Sequence, residues 1–186
     1  MSTAAPRSMF VSATAWSLIV LGVLGVVLAG LVWVLAALLA TIGIEQVYDE
    51  NPLFGLFPPA LQWMMRHLGL VAALLFGTSV AALPLGVALN RRREWARVAS
   101  VWTCWMLAVL HVVAVPWQWR QLAAWRDAVD FTMPVFVREQ IASMYWPLQI
   151  SSALTTLALA GAFAWTAWRL ARPSVRAEFS VPATTA

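Results

Sequence analysis

The chain has no lysine, one cysteine, two histidines and two tyrosines, and only 11% of its 186 residues are charged. A soluble domain carries about a quarter of its residues as charge, so charge this sparse does not cover a water-facing surface. Cys104 stands alone, which excludes an internal disulfide or a thiolate metal cluster and argues against thiol–disulfide relay chemistry. All twelve basic residues are arginine and the pI is about 10.6. They do not form the basic face that nucleic-acid recognition uses, so no nucleic-acid partner is expected. GxSxG, HExxH and a phosphate-cradling glycine loop are also missing. The interiors of the apolar runs hold no carboxylate of the kind a proton- or cation-coupled transporter needs. These absences point away from an enzyme and from a transporter.

Hydrophobic residues make up 62% of the chain, and the mean hydropathy is +0.77. They collect at roughly 12–42, 68–89, 96–116 and 145–168, each long enough for a bilayer crossing of about 20 residues. The nearly uncharged run from Phe10 to Ile44 exceeds the roughly 7–15-residue core of a signal peptide and reads as a retained anchor. The expectation is an all-α integral membrane protein with one domain over 1–186. It is a four-transmembrane-helix bundle with amphipathic extracytoplasmic loop helices and a flexible tail from about 172 to 186.

Four crossings bring both termini and the 90–95 turn to one side. That side holds Arg7, Arg91, Arg92, Arg93, Arg97, Arg169, Arg172 and Arg176. The other holds Arg66, Arg120, Arg126 and Arg138 against Glu45, Asp49, Glu50, Asp127, Asp130 and Glu139. The positive-inside rule makes the first side cytoplasmic, in a bacterial-type inner membrane. Arg91, Arg92, Arg93 and Arg97 then fix the topology of a tight hairpin and meet anionic lipid headgroups. Trp16, Trp95, Trp165 and Trp168 mark the inner interface, and Trp63, Trp117, Trp119, Trp125 and Trp146 the outer one.

Lipid is as apolar as leucine, so helices associate through small residues and polar links. Gly69, Ala73, Gly77 and Ala81 form a four-residue ridge on the second segment, and Ser152, Thr156, Ala160 and Ala164 form one on the fourth. Both are read as close-packing surfaces within the chain, with self-association as the alternative. Pro84 is expected to kink the second segment.

Both outer loops are unusually apolar. Phe54, Phe57 and Trp63 in the first, with Trp119 and Trp125 in the second, are candidate partner-binding residues. Leu122, Trp125 and Val129 recur at helical spacing, with Arg126 and Asp130 an i, i+4 pair. A second helical pattern follows Pro134, so one or two amphipathic loop helices are expected at the outer interface.

The two histidines give the only cofactor candidates. His67 and His111 both fall toward the outer end, and His111 shares a helical face with Ser100 and Cys104. The pair suits axial ligation of haem b or hydrogen bonding to a quinone. Glu45, Asp49 and Glu50 could complete a metal site with His67, but acids in a wet loop are ordinarily solvated, and no metal is expected. The leading expectation is a non-enzymatic accessory subunit or partner-binding membrane protein whose partners are the lipid bilayer and other membrane subunits. A haem- or quinone-binding redox protein comes second, and a membrane-embedded immunity-type protein third.

Overall fold

The computed structural model describes residues 8–43, 54, 57–132 and 134–179. Among these residues there is no strand. The helices are α1 Met9–Thr41, α2 Pro59–Arg66, α3 Leu68–Asn90, α4 Glu94–Thr132, α5 Val135–Ala171 and α6 Pro173–Ala177. Four of them, α1, α3, α4 and α5, are long and apolar enough to cross a membrane. At 1.5 Å per residue, α1 alone makes about 50 Å of helix, against a hydrocarbon layer of about 30 Å.

The residues form two compact units. The first takes those up to Gly30, Ala73–Ala108 and those from Gly161 onward; the second takes Leu31–Ala72 and Val109–Ala160. In the first unit α1 and α3 approach closely at glycines, against which Leu83, Ser79 and Ile19 pack. A Cβ on Gly86 would stand 2.9 Å from the Ala15 carbonyl oxygen, and one on Gly22 2.8 Å from Leu83. A Cβ on Gly25 would run into the Ser79 hydroxyl. Buried Ala15, Gly22 and Ala29 on α1 recur every seven residues, and buried Ser79 and Gly86 on α3 keep the same spacing. This is the 3.5-residue period of a left-handed helix pair.

That contact corrects the expected ridge. Gly69, Ala73, Gly77 and Ala81 are all exposed, and a Cβ on Gly69 or Gly77 would meet nothing within 4 Å. The small residues that pack are those matched by small residues on α1, and they lie on a different stripe of α3. The ridge on α5 does face inward: Thr156 and Ala160 are buried, and Ser152 and Ala164 are half-buried.

The arginine turn closes α3. Arg92 has φ 55°, its N–H donates to Leu89 O, and the Arg93 N–H donates to Ala88 O. This is a Schellman cap, with an arginine in the left-handed position that glycine ordinarily takes. The Arg92 side chain fixes it, donating through Nη2 to Ser8 O and to Ser12 Oγ, each at 3.2 Å. Its Nε lies 3.3 Å from Glu178 Oε2, which also accepts the Ser8 N–H at 3.1 Å. Arg97, 7% exposed, pairs with Glu94 through Nε at 2.8 Å and donates through Nη1 to Leu170 O at 3.2 Å. Arg92 and Arg97 therefore tie the protein to itself. Only Arg91 and Arg93 of the expected headgroup set point outward.

The tail differs from expectation for the same reason. Residues 172–179 fold back as α6 and a turn, burying Val175 and Phe179 in the core with Val11, Ala15, Ala88, Leu89, Ala96 and Leu170. Residues 180–186 lie outside the described residues, as do Arg7, Glu45, Asp49 and Glu50.

In the second unit the second outer loop is absorbed into long helices. α4 runs through Pro116 to Thr132, and α5 begins at Val135 and runs through Pro147. The expected interfacial helices there are extensions of the membrane-length helices, one ending at Thr132 and the next beginning at Val135. Membrane helices tolerate proline where neighbours satisfy the freed carbonyl. Pro84 likewise lies within α3, which continues through it.

Candidate functional site

The second unit offers two chemically distinct places, a polar seam and an apolar groove. In the seam, Gln118 of α4 lies with its Oε1 3.2 Å from both Ser152 Oγ and Thr156 Oγ1 of α5. Thr156 has one hydroxyl proton, and it points to Ser152 O at 2.8 Å. A flipped Gln118 amide, donating through Nε2 to the hydroxyl oxygens, serves that geometry better, since amide orientation follows the network. One turn away on α5, Gln149 is 4% exposed and its Oε1 has no hydrogen-bond partner.

The groove is built on α2. Pro58 at ψ 140° starts that helix and Pro59 occupies its first turn, where the missing N–H costs nothing. Gln62 Nε2 donates to Phe57 O at 2.7 Å, fastening the entering strand of chain to the helix. At the far end His67 has φ −120° and ψ 35° and ends the helical run. Its Nδ1 lies 2.9 Å from Trp63 O, and its ring stacks on the Trp63 indole at 4.7 Å. Pro59, Ala60, Trp63 and Met64 form one wall, and Trp117 and Gln121 of α4 form the other, around a cavity of about 620 Å³. The volume lies in the range of small-molecule sites, and Gln121 is the only lining residue with a polar side chain besides the indole N–H groups.

The expected partner-binding residues divide. Phe57, Trp63 and Trp119 are 42%, 48% and 45% exposed and remain available. Phe54 is buried, with Phe57 edge-on at 6.1 Å and the Arg66 guanidinium 5.5 Å from its ring centre; it anchors the fold and offers no surface. Trp125 is half-buried on the same α4 face as Val129, which is 1% exposed. Arg126, expected to pair with Asp130, instead pairs with Asp127 at 3.2 Å and lies 5.1 Å over the buried Tyr145 ring. Trp117 and Gln121 do not show as lining residues in a sequence reading that ends the helix at Pro116. Their i, i+4 spacing is the signal that a continuous helix makes legible.

His111 is half-buried on the inward face of α4, in line with buried Ser100 and half-buried Cys104. His67 is exposed, with Nδ1 turned to the Trp63 carbonyl oxygen. Among the described residues, no group of three or more His, Cys, Asp or Glu stands close enough to hold a metal. No protein-family model matches this chain, and neither a curated protein nor a solved structure does.

Proposed function

We propose that the protein is a non-enzymatic, multi-pass protein of a bacterial-type inner membrane. Both termini are cytoplasmic, and it acts as an accessory subunit docking another membrane protein through the groove of its outer half. The observation carrying this is the groove itself, an apolar recess of about 620 Å³ lined by exposed Trp63 and Trp117. Rigid aromatics around a recess are the usual anchors of protein–protein contacts. The membrane reading is supported by the breadth of exposed apolar surface, including Leu21 at 64%, Leu31 at 62%, Trp102 at 72% and Leu154 at 63%. A water-soluble surface of that kind would aggregate.

Reporter fusions at residue 93 and at the C-terminus should read cytoplasmic, and fusions at residues 55 and 133 should read outside; an inverted pair refutes the topology. Under mild extraction a membrane partner should co-purify, and Trp63→Asp should release it, because a charge buried against an apolar partner is left unpaired at several kcal/mol. A protein that purifies alone refutes the docking role.

The second reading, haem b or quinone at His67 and His111, is supported by one detail. Nδ1 of His67 is tied to a carbonyl, the arrangement that fixes the tautomer of a ligating imidazole. A Soret band lost in His111→Ala would establish the haem form, and a colourless preparation without quinone would remove it.

A further inference from the structure

Among the described residues, two arginines at the end of α5 have no acidic partner. The Arg169 guanidinium lies 5.2 Å from the Phe10 ring centre and 5.8 Å from that of Trp165. Phe10 and Trp165 meet edge-to-face at 5.3 Å. The Arg172 guanidinium lies 3.8 Å over Trp168. Each of these arginine–tryptophan pairs is spaced i, i+4, and the Arg172 N–H donates to Arg169 O at 3.3 Å, so both cations leave one tight turn. Arg92 and Arg97 contrast with them, each having a glutamate. Among the described residues no carboxylate lies within ion-pair distance of Arg169 or Arg172, and the buried Nε of Arg169 has no acceptor. Trp165 and Trp168 remain 52% and 51% exposed, two indole platforms at the end of a membrane-length apolar helix.

We propose that this turn binds the phosphate of an anionic phospholipid. Arg169 and Arg172 donate to the phosphate oxygens, while the indoles of Trp165 and Trp168 lie against the glycerol and upper acyl region. Guanidinium forks match phosphate oxygens, and stacking on the rings holds both forks at the headgroup level, where indole settles. Free phosphate satisfies the forks but leaves the two exposed indoles without a partner, so the amphipathic platform selects a lipid. The proposal rests on the membrane-spanning reading and is independent of partner docking.

The test uses full-length protein in bilayer discs of phosphatidylcholine, with phosphatidylglycerol added stepwise. Thermal midpoint and lipid retention in native mass spectrometry are the readouts. Phosphatidylglycerol should raise the midpoint and be retained. The Arg169→Gln/Arg172→Gln variant should lose about tenfold in retention, equivalent to about 1.4 kcal/mol. Arg91→Gln/Arg93→Gln, which removes two exposed charges from the hairpin, should change retention less than twofold. Arg172→Gln alone, which removes a half-buried cation from the Trp168 stack and keeps Arg169 in place, serves if the double variant does not fold. Equal losses in the two double variants would reduce the effect to general surface potential and overturn the proposal. So would equal retention of phosphatidylcholine, or a midpoint shift reproduced by inorganic phosphate alone. Resistance to alkaline extraction from membranes tests the spanning reading separately.

Discussion

The two compact units draw on the same four long helices, yet different chemistry holds each. The first contains Arg91, Arg92, Arg93, Arg97, Arg169, Arg172 and Arg176 against Glu94 and Glu178 among its described residues. It is fastened by ion pairs to those two glutamates and by backbone contact at glycine. The second has its described charges nearly balanced, and an amide–hydroxyl seam joins α4 to α5. Close backbone approach and charge-assisted ties resist substitution because nothing replaces them. A seam of neutral hydrogen bonds inside lipid is worth little per bond, since the helices find other partners when separated. The first unit is therefore expected to be the rigid one, and the second the one adapted to receive another molecule.

The sharpest way to break this contrast is to fill the glycine contact. Gly86→Leu should cost about 3 kcal/mol or prevent folding, since the new side chain meets the Ala15 carbonyl and the Ile19 backbone as well as the Ile19 side chain. Gly77→Leu should be nearly silent, because the space beside it is open. Thermal unfolding in detergent measures both, and comparable losses would mean that α3 is rotated from the face described.

The Arg92 cap comes next. Arg92→Ala leaves the Glu178 carboxylate, whose side chain is 12% exposed, without its cation, at about 3 kcal/mol. Arg92→Gly loses the same contacts but relieves the left-handed backbone of about 1–2 kcal/mol, so it should be the milder change. Equal losses would show that the backbone there is not strained. A chain ending at residue 171 should be about as unstable as Arg92→Ala, as measured by the same unfolding midpoint.

The sequence displays the four membrane-length helices because unbroken apolar runs need no partner to be recognised. Which face of α3 packs is not legible. The helix is apolar all round, and both the Gly69–Ala81 stripe and the Ala72–Gly86 stripe offer small residues. The choice is made by Gly22 and Gly25 across the contact, and pairing of that kind lies outside any single segment. Composition misled in the tail, where proline, serine and threonine suggested fraying while Val175, Glu178 and Phe179 fill the core and close the cap. Phe54 and Trp125 are apolar enough to suggest partner binding, but the fold itself buries Phe54 and half-buries Trp125. The groove could not be anticipated, because α2 and α4 meet there only once α4 continues beyond Pro116.

A smaller effect tests the second unit's seam. Gln118→Leu should cost about 1 kcal/mol. It removes the bridge to Ser152 and Thr156, but Thr156 keeps its bond to Ser152 O, and hydrogen bonds between membrane helices average about 0.6 kcal/mol each. Ser152→Ala should cost less than half of that.

The smallest change is predicted with the opposite sign. Gln149 sits one turn from half-buried Ser152 on α5 and is more enclosed, yet its amide oxygen has no partner. Leaving a buried polar group unpaired costs about 1–3 kcal/mol, whereas an apolar group of similar shape carries no such penalty. Gln149→Leu should therefore raise stability by about 1 kcal/mol, while Gln118→Leu lowers it. Two glutamines on facing helices of one unit thus move in opposite directions under the same substitution. The unfolding midpoints of the two variants, taken in detergent and again in bilayer discs, decide the matter. A loss of stability in Gln149→Leu in both settings would mean that the amide is satisfied in the folded protein. A loss confined to the bilayer would identify the satisfying group as lipid.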